Sequence, residues 1–336
     1  MGPKSRHTIC GRIGAFLVGK VVLLLATASA TSQPFNFATS DADHRRMIAS
    51  AARKLLEQEL KPRLVRNLPQ RYAGIAASVD VQVIEENWGL AVRASKDRQN
   101  NRKIEFPLGF VLALDVINRS IADAACCAES LGSRDQQERS RRFMSYMEDL
   151  QVQAAKSVTG NIAAKKRMGE QFGRLAPLCE RIKSKRYCFQ LRTQDDHQRR
   201  FTNATYAAYT MVLAHELGHH FLGHLDKPRL LPHEQEAEAD KWGILLTFRT
   251  GQNIAHALNA MVLIALLESE ARDRAAGSSH PQTSCRIINS FERGVREVFK
   301  DPEFDRDSVR RGISPEEARL TIRSSIDEFR AQRTTC

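Results

Sequence analysis

The chain has 336 residues, 42% hydrophobic and 27% charged, with a formal charge of +12. That length and balance exclude a disordered or fibrous chain and leave room for a sizeable buried core without disulfide staples. The basic groups, such as Arg139/Arg141/Arg142, Lys165/Lys166/Arg167 and Lys183/Lys185/Arg186, are scattered and lack interleaved aromatics. They therefore read as solvated helix faces, suited to peripheral contact with an anionic membrane surface rather than to nucleic acid.

In chain order, residues 1–30 read as a signal peptide. Lys4, Arg6, His7 and Arg12 form a positive start, Ile13 to Ala28 an apolar run interrupted by Lys20, and Ala28-Ser29-Ala30 a small-x-small cleavage signal. The reading places the mature chain outside the cytoplasm, periplasmic or secreted. Cys10 leaves with the leader, and Cys126, Cys127, Cys179, Cys188, Cys285 and Cys336 remain. An even number in an exported chain suggests disulfides, with Cys179–Cys188 favoured by the short loop between them. Cys126 and Cys127 are adjacent and have separate partners. None of the six has CxxC spacing, which argues against a thiolate metal site.

Residues 31–43 form a flexible lead. The domain proper is 44–336, with a helical, cysteine-containing insertion at about 120–200. The spacing of Met47, Leu55, Leu56, Leu60 and Leu64 predicts a helix over 44–66 that Pro62 breaks or kinks. Residues 78–85 alternate apolar and polar, a half-buried strand. Residues 100–109 combine a charged loop with Phe106-Pro107-Leu108-Gly109, and the following apolar run, 110–117, fits either a strand or a buried helix. A strong helix spans 204–224, a turn follows at 226–232, and a second helix runs from about 233 to 250, ended by Gly251. A third helix spans about 253–270, and the charged tail from Ser290 is helical. The fold class is α+β, predominantly helical, with a small sheet and a helical insertion.

The chemistry centres on His215-Glu216-Leu217-Gly218-His219. Residues four apart on a helix share a face, so the two imidazoles can converge on one metal ion with Glu216 beside them as a base. A catalytic zinc takes three protein ligands and one open position. The frame HExxHxxGxxH would require Gly at 222 and His at 225, but the chain has Leu222 and Leu225. The acids of 234–240 supply the third ligand instead. Glu234, Glu236 and Glu238 diverge around a helix, whereas Glu236 and Asp240 share a face. Glu236 is assigned as the ligand, and Asp240 as the acceptor that orients a ligand histidine. His220 and His224 fall on other faces and read as packing or surface residues.

These residues, HELGHHFLGH followed by Glu236, Ala239 and Asp240, resemble the gluzincin metallopeptidases of the HtpX and CAAX-prenyl-protease type. Ser279-His280-Pro281 with Arg286-Ile287 resembles that family's downstream element, and Phe106-Pro107-Leu108-Gly109-Phe110 its cleft-bordering strand. The likeness covers about 100–118 and 204–288. A long insertion and charged Asn101-Arg102-Lys103 depart from the pattern, and the soluble, exported branch is the nearer one. The resemblance implies a zincin-like metallopeptidase core holding one Zn²⁺ per chain through His215, His219 and Glu236. It implies a zinc-dependent endopeptidase acting on peptides or unfolded proteins, with Glu216 as general base. His280 or Arg286 would add a donor to the developing oxyanion, or both are structural, with Arg286 supporting the site from behind by pairing with Asp240. An edge strand over Phe106 to Val111 would receive substrate backbone by strand addition. The alternative is a non-catalytic, chaperone-like zinc-binding module on the same scaffold.

Overall fold

The computed structural model describes residues 42–87, 91–111, 114, 118, 194–226, 231–254, 261 and 283–331. The leader, most of the 120–200 segment, His280 and the residues after 331 lie outside this set, as do the side chains of Arg286 and the cysteines. The described residues are mostly helical with one small three-stranded sheet.

The chain opens with α1, Ala42–Lys54, passes through a π-helical stretch, Leu55–Leu60, and continues as α2, Lys61–Arg66. Pro62 explains the irregularity. Its ring crowds the carbonyl one turn back and it has no N–H to donate, so the helix widens just before it. Lys61 N–H then reaches Leu56 O, the longer π-type bond. Leu55, Leu56, Leu60 and Leu64 all stay buried through the change of pitch. Helix α3, Gln70–Ser78, leads into β1, Asp80–Ile84, whose Val81 and Val83 face the core.

Strands β2, Arg93–Lys96, and β3, Arg102–Pro107, form a hairpin. Its turn is built by Asp97, which accepts the backbone N–H groups of Gln99 and Asn101, both at 2.8 Å, while Asn100 adopts φ 67°. Asparagine tolerates that left-handed conformation better than most residues. The sheet order is β1-β3-β2, with β1 parallel and β2 antiparallel to the central β3. This corrects the expectation of an edge strand over 106–111. Phe106 and Pro107 end the central strand, which is paired on both sides, and residues 108–111 are helical. β1 and β2 are the two edge strands; among the described strands each pairs with β3 alone.

Helix α4, Gln194–Phe221, begins ten residues before the expected 204 and carries the motif at its C-terminal end. From 204 to 221 nearly every residue is buried, so α4 is the central helix of the fold. Helix α5, Pro232–Arg249, packs along it and ends at Gly251, φ 79°. Two small residues set the approach of α4 and α5. A Cβ at Gly218 would stand 3.3 Å from Ala239 Cα, and one at Gly243 would meet Met211 at 2.7 Å. Arg63 of α2 clamps the pair, donating to Tyr206 Oη at 2.9 Å and to the Thr250 carbonyl at 3.0 Å. Tyr72, Phe221 and Trp242 form an aromatic knot with centroids 4.9–5.6 Å apart, fastening α3 to both helices.

The charged tail forms α6, Thr283–Lys300, α7, Pro302–Arg310, and α8, Pro315–Ala331. Asp301 joins tail to core. It caps α7 by accepting Glu303 N–H at 3.0 Å and accepts Arg249 Nε at 2.7 Å from the end of α5. Burial opposes its charge, but the Arg249 bond and the cap hold its carboxyl below the ordinary value of 3.8. A depressed carboxylate contributes stability above its unfolded pKa and loses it as pH falls through the folded one. Asp301→Ala is therefore expected to destabilise by about 1–3 kcal/mol at pH 7, combining a lost cap with an unpaired Arg249. The difference from wild type should shrink below about pH 4, read by denaturant melts across pH.

Candidate metal centre

The helical hairpin α4–α5 brings His215, His219 and Glu236 together, each offering a ligand atom within 4.8 Å of the others. The two Nε2 atoms are 3.1 Å apart, and they stand 3.4 and 3.6 Å from the Glu236 carboxylate. Tetrahedral ligands at zinc's bond lengths of about 2.0–2.1 Å would sit roughly 3.3–3.4 Å from one another. Two imidazoles and one carboxylate at these separations fit a small divalent cation. All three lie at the edge of the core, with side chains 11–27% exposed, so the centre faces inward without being sealed.

Electrostatics point the same way. Burial works against a charge on His215, yet the hydrogen bond to Asp240 and then Glu236 raise its proton affinity well above the histidine range. Burial, joined by the charge on His215, pushes His219 down to about 3. The cluster thus gathers positive charge at one imidazole between two carboxylates, the position a divalent ion would take with both rings neutral.

The surroundings hold the ligands in place. Asp240 Oδ1 accepts His215 Nδ1–H at 2.8 Å and is buried, which fixes the ring with Nε2 inward. Glu234 turns back to its own helix start, where its carboxylate accepts Leu231 N–H at 3.0 Å. Glu216 lies beside the ligands, buried, with Oε2 accepting Ala94 N–H of β2 at 2.7 Å. The sheet is anchored to α4 twice more. His220 bonds the Lys103 carbonyl through Nε2 at 3.0 Å, and Lys96 pairs with Asp226 in the turn after α4. Burial pushes His220 down to about 4, so its ring is a neutral donor to β3.

Sequence reasoning did not single out three participants. His224 reads from the sequence as packing or surface; the structure buries it outside the ligand group, with its Nδ1 3.1 Å from His219 Nδ1. Glu238, on the face opposite the one chosen for ligands, reaches His224 Nε2 at 3.4 Å. Ala94 lies on β2, Arg-Ala-Ser-Lys, a short strand without apolar alternation. A signal for His224 existed in Gly223, φ 76°, which ends α4 with His224 N–H bonded to His219 O and Gly223 N–H to His220 O. This glycine-ended cap folds the chain back over the last turn, the turn that holds a ligand. His280 lies outside the described residues, and Arg286 lies on α6 with its side chain outside them.

A family model described as Peptidase U49 matches residues 134–296, a stretch that contains the whole cluster. The match supports a peptidase. No curated protein and no solved structure matches the chain. Helix, hairpin and family match together define a candidate peptidase with a His-His-Glu metal centre.

The Gly218–Ala239 approach yields a paired prediction. Gly218→Val should destabilise by about 1–3 kcal/mol through overpacking and loosen the ligand cluster, lowering metal affinity in a chelator competition. Gly74→Ala, at an exposed helical site with nothing within 4 Å of a new Cβ, should instead stabilise by about 0.5–1 kcal/mol in thermal melts.

Proposed function

We propose that this chain is a zinc-dependent endopeptidase of the gluzincin type, similar to the HtpX and CAAX-prenyl-protease group, with a zincin-like core. The observation that carries the reading is the convergence of His215, His219 and Glu236 at 3.1–3.6 Å, with Asp240 holding the first ring from outside. His215, His219 and Glu236 would hold the ion, which when bound supplies Lewis acidity and a water of pKa about 7.

The remaining steps belong to the protein's own residues. Glu216 takes the proton of the attacking water and delivers it to the leaving amine. Its Oε2 is held by Ala94 N–H, so the carboxylate is oriented before substrate arrives. Strand addition transfers to β2. Asp97 N–H bonds Asn101 O across the hairpin, and strict alternation then turns the Ala94 carbonyl and the backbone groups of Lys96 toward the outer edge, where the Ala94 N–H already serves Glu216. An extended peptide laid there would pass beside Glu216.

The decisive experiment pairs metal analysis with Glu216→Gln, assayed on an unfolded protein. Wild type should carry one zinc per chain, lose activity to a chelator and regain it with zinc. Glu216→Gln should keep its zinc and lose roughly 10²–10⁴-fold in turnover. A folded, zinc-free wild type ends the metal reading, and full function in Glu216→Gln selects the non-catalytic, chaperone-like module.

The basic, then apolar leader with Ala28-Ser29-Ala30 supports an exported enzyme acting on exported or envelope proteins. N-terminal sequencing of the mature protein should begin at Thr31; an intact Met1 would overturn the cleaved leader and leave an uncleaved anchor.

A further inference from the structure

His215 and His219 differ in what stands behind them. Nε2 of each ring faces the centre, so in a neutral ligand the proton sits on Nδ1 and needs an acceptor. For His215 the acceptor is Asp240 at 2.8 Å. For His219 the atom in reach of Nδ1 is Nδ1 of His224, at 3.1 Å, with both residues buried. The ring planes cross at 69° with centroids 5.1 Å apart, so the two rings meet edge-on through their nitrogens rather than stacking.

We propose that His224 and Glu238 form a relay that positions the metal-ligating ring of His219. The inference rests on the metal-centre reading of the site. His224 accepts the His219 Nδ1–H on its own Nδ1, which places the His224 proton on Nε2. That N–H points to Glu238 Oε2 at 3.4 Å. The chain His219–His224–Glu238 therefore ends on a carboxylate, as His215–Asp240 does, but with one imidazole interposed. Both carboxylates come from α5, the helix that also supplies Glu236.

The local fold explains why a second imidazole is needed. Asp240 lies one turn beyond Glu236, on the side of His215. His219 lies a turn nearer the end of α4, and Glu238 bonds its outer nitrogen through His224 rather than directly. Gly223 fills that gap. Its left-handed backbone returns the chain so that His224 N–H closes on the His219 carbonyl at 3.0 Å, setting the His224 ring beside the His219 ring. One glycine thus carries a residue from beyond the helix into the ligand's hydrogen-bond shell. His224 and Glu238 are positioning residues; they act on the metal through His219.

The test uses the full chain, stripped of metal and titrated with zinc against a chromophoric chelator. His224→Leu keeps bulk but removes the acceptor, and zinc affinity should fall about 10–100-fold. His224→Asn places an amide oxygen near the old Nδ1 and should recover affinity to within about threefold of wild type. Glu238→Leu should weaken binding in the same direction, and it should add nothing in a His224→Leu background, because it acts through that ring. Cobalt substitution should show altered visible bands in His224→Leu and wild-type bands in His224→Asn. Wild-type affinity in His224→Leu overturns the relay, as do equal losses in Leu and Asn variants, which would mark a packing role. Additive losses for His224 and Glu238 overturn the link to Glu238. A wild-type chain that binds no zinc removes the metal centre itself, a result distinct from any of these.

Discussion

The site depends on how closely two helices approach. At Gly218 the backbone of α4 lies against Ala239 of α5, with room for little more than van der Waals contact. Gly218 directly precedes His219 and Ala239 directly precedes Asp240, so the tightest point of the interface adjoins the cluster. Wider separation would leave two imidazoles on one helix and two carboxylates on another, each buried without the opposite group that balances it. Burying such groups alone costs several kcal/mol. The approach therefore makes the chemistry and the packing one problem. Arg63 and the Tyr72–Phe221–Trp242 knot hold the same two helices from outside.

The hairpin β2–β3 gives the centre its second wall. Ala94 N–H on Glu216 and His220 on the Lys103 carbonyl fix the sheet to α4, and Lys96 on Asp226 fixes it to the turn that follows. A single contact would allow the sheet to pivot; these spaced contacts hold its edge at a set distance from Glu216. His220, so close to the ligands in sequence, serves this purpose by turning the other way and remaining neutral as a donor.

Much of this was legible before any coordinates. Spacing of i and i+4 put His215 with His219, and Glu236 with Asp240, and the structure brings the four together. Alternation marked β1, and Gly251 marked the end of α5. What stayed hidden depends on tertiary pairing. Strand order decides which edge is open, and neither edge nor centre is written in the residues of β3. The sequence Arg-Ala-Ser-Lys has no apolar alternation because β2 borrows its order from the hairpin turn and from α4. The role of His224 depended on a backbone reversal at Gly223, a signal weaker than periodicity because glycine has many uses. The π-helical widening before Pro62 was visible only as a warning of a kink.

The ligands also lie close along the chain. His215 through Asp240 is one helix end, one short connection and the first turns of the next helix. Closing so short a loop sacrifices little chain entropy, since that loss grows only slowly with loop length. The β2–β3 hairpin is local too, pairing residues 6 to 12 apart, whereas the bond from Ala94 to Glu216 spans 122 residues. The cluster of His215, His219 and Glu236 is thus a local feature of the α4–α5 pair, while Glu216 receives its restraint from Ala94 on the distant β2 strand. The Glu216–Ala94 bond therefore depends on the fold of the whole domain in a way that the spacing of the cluster does not.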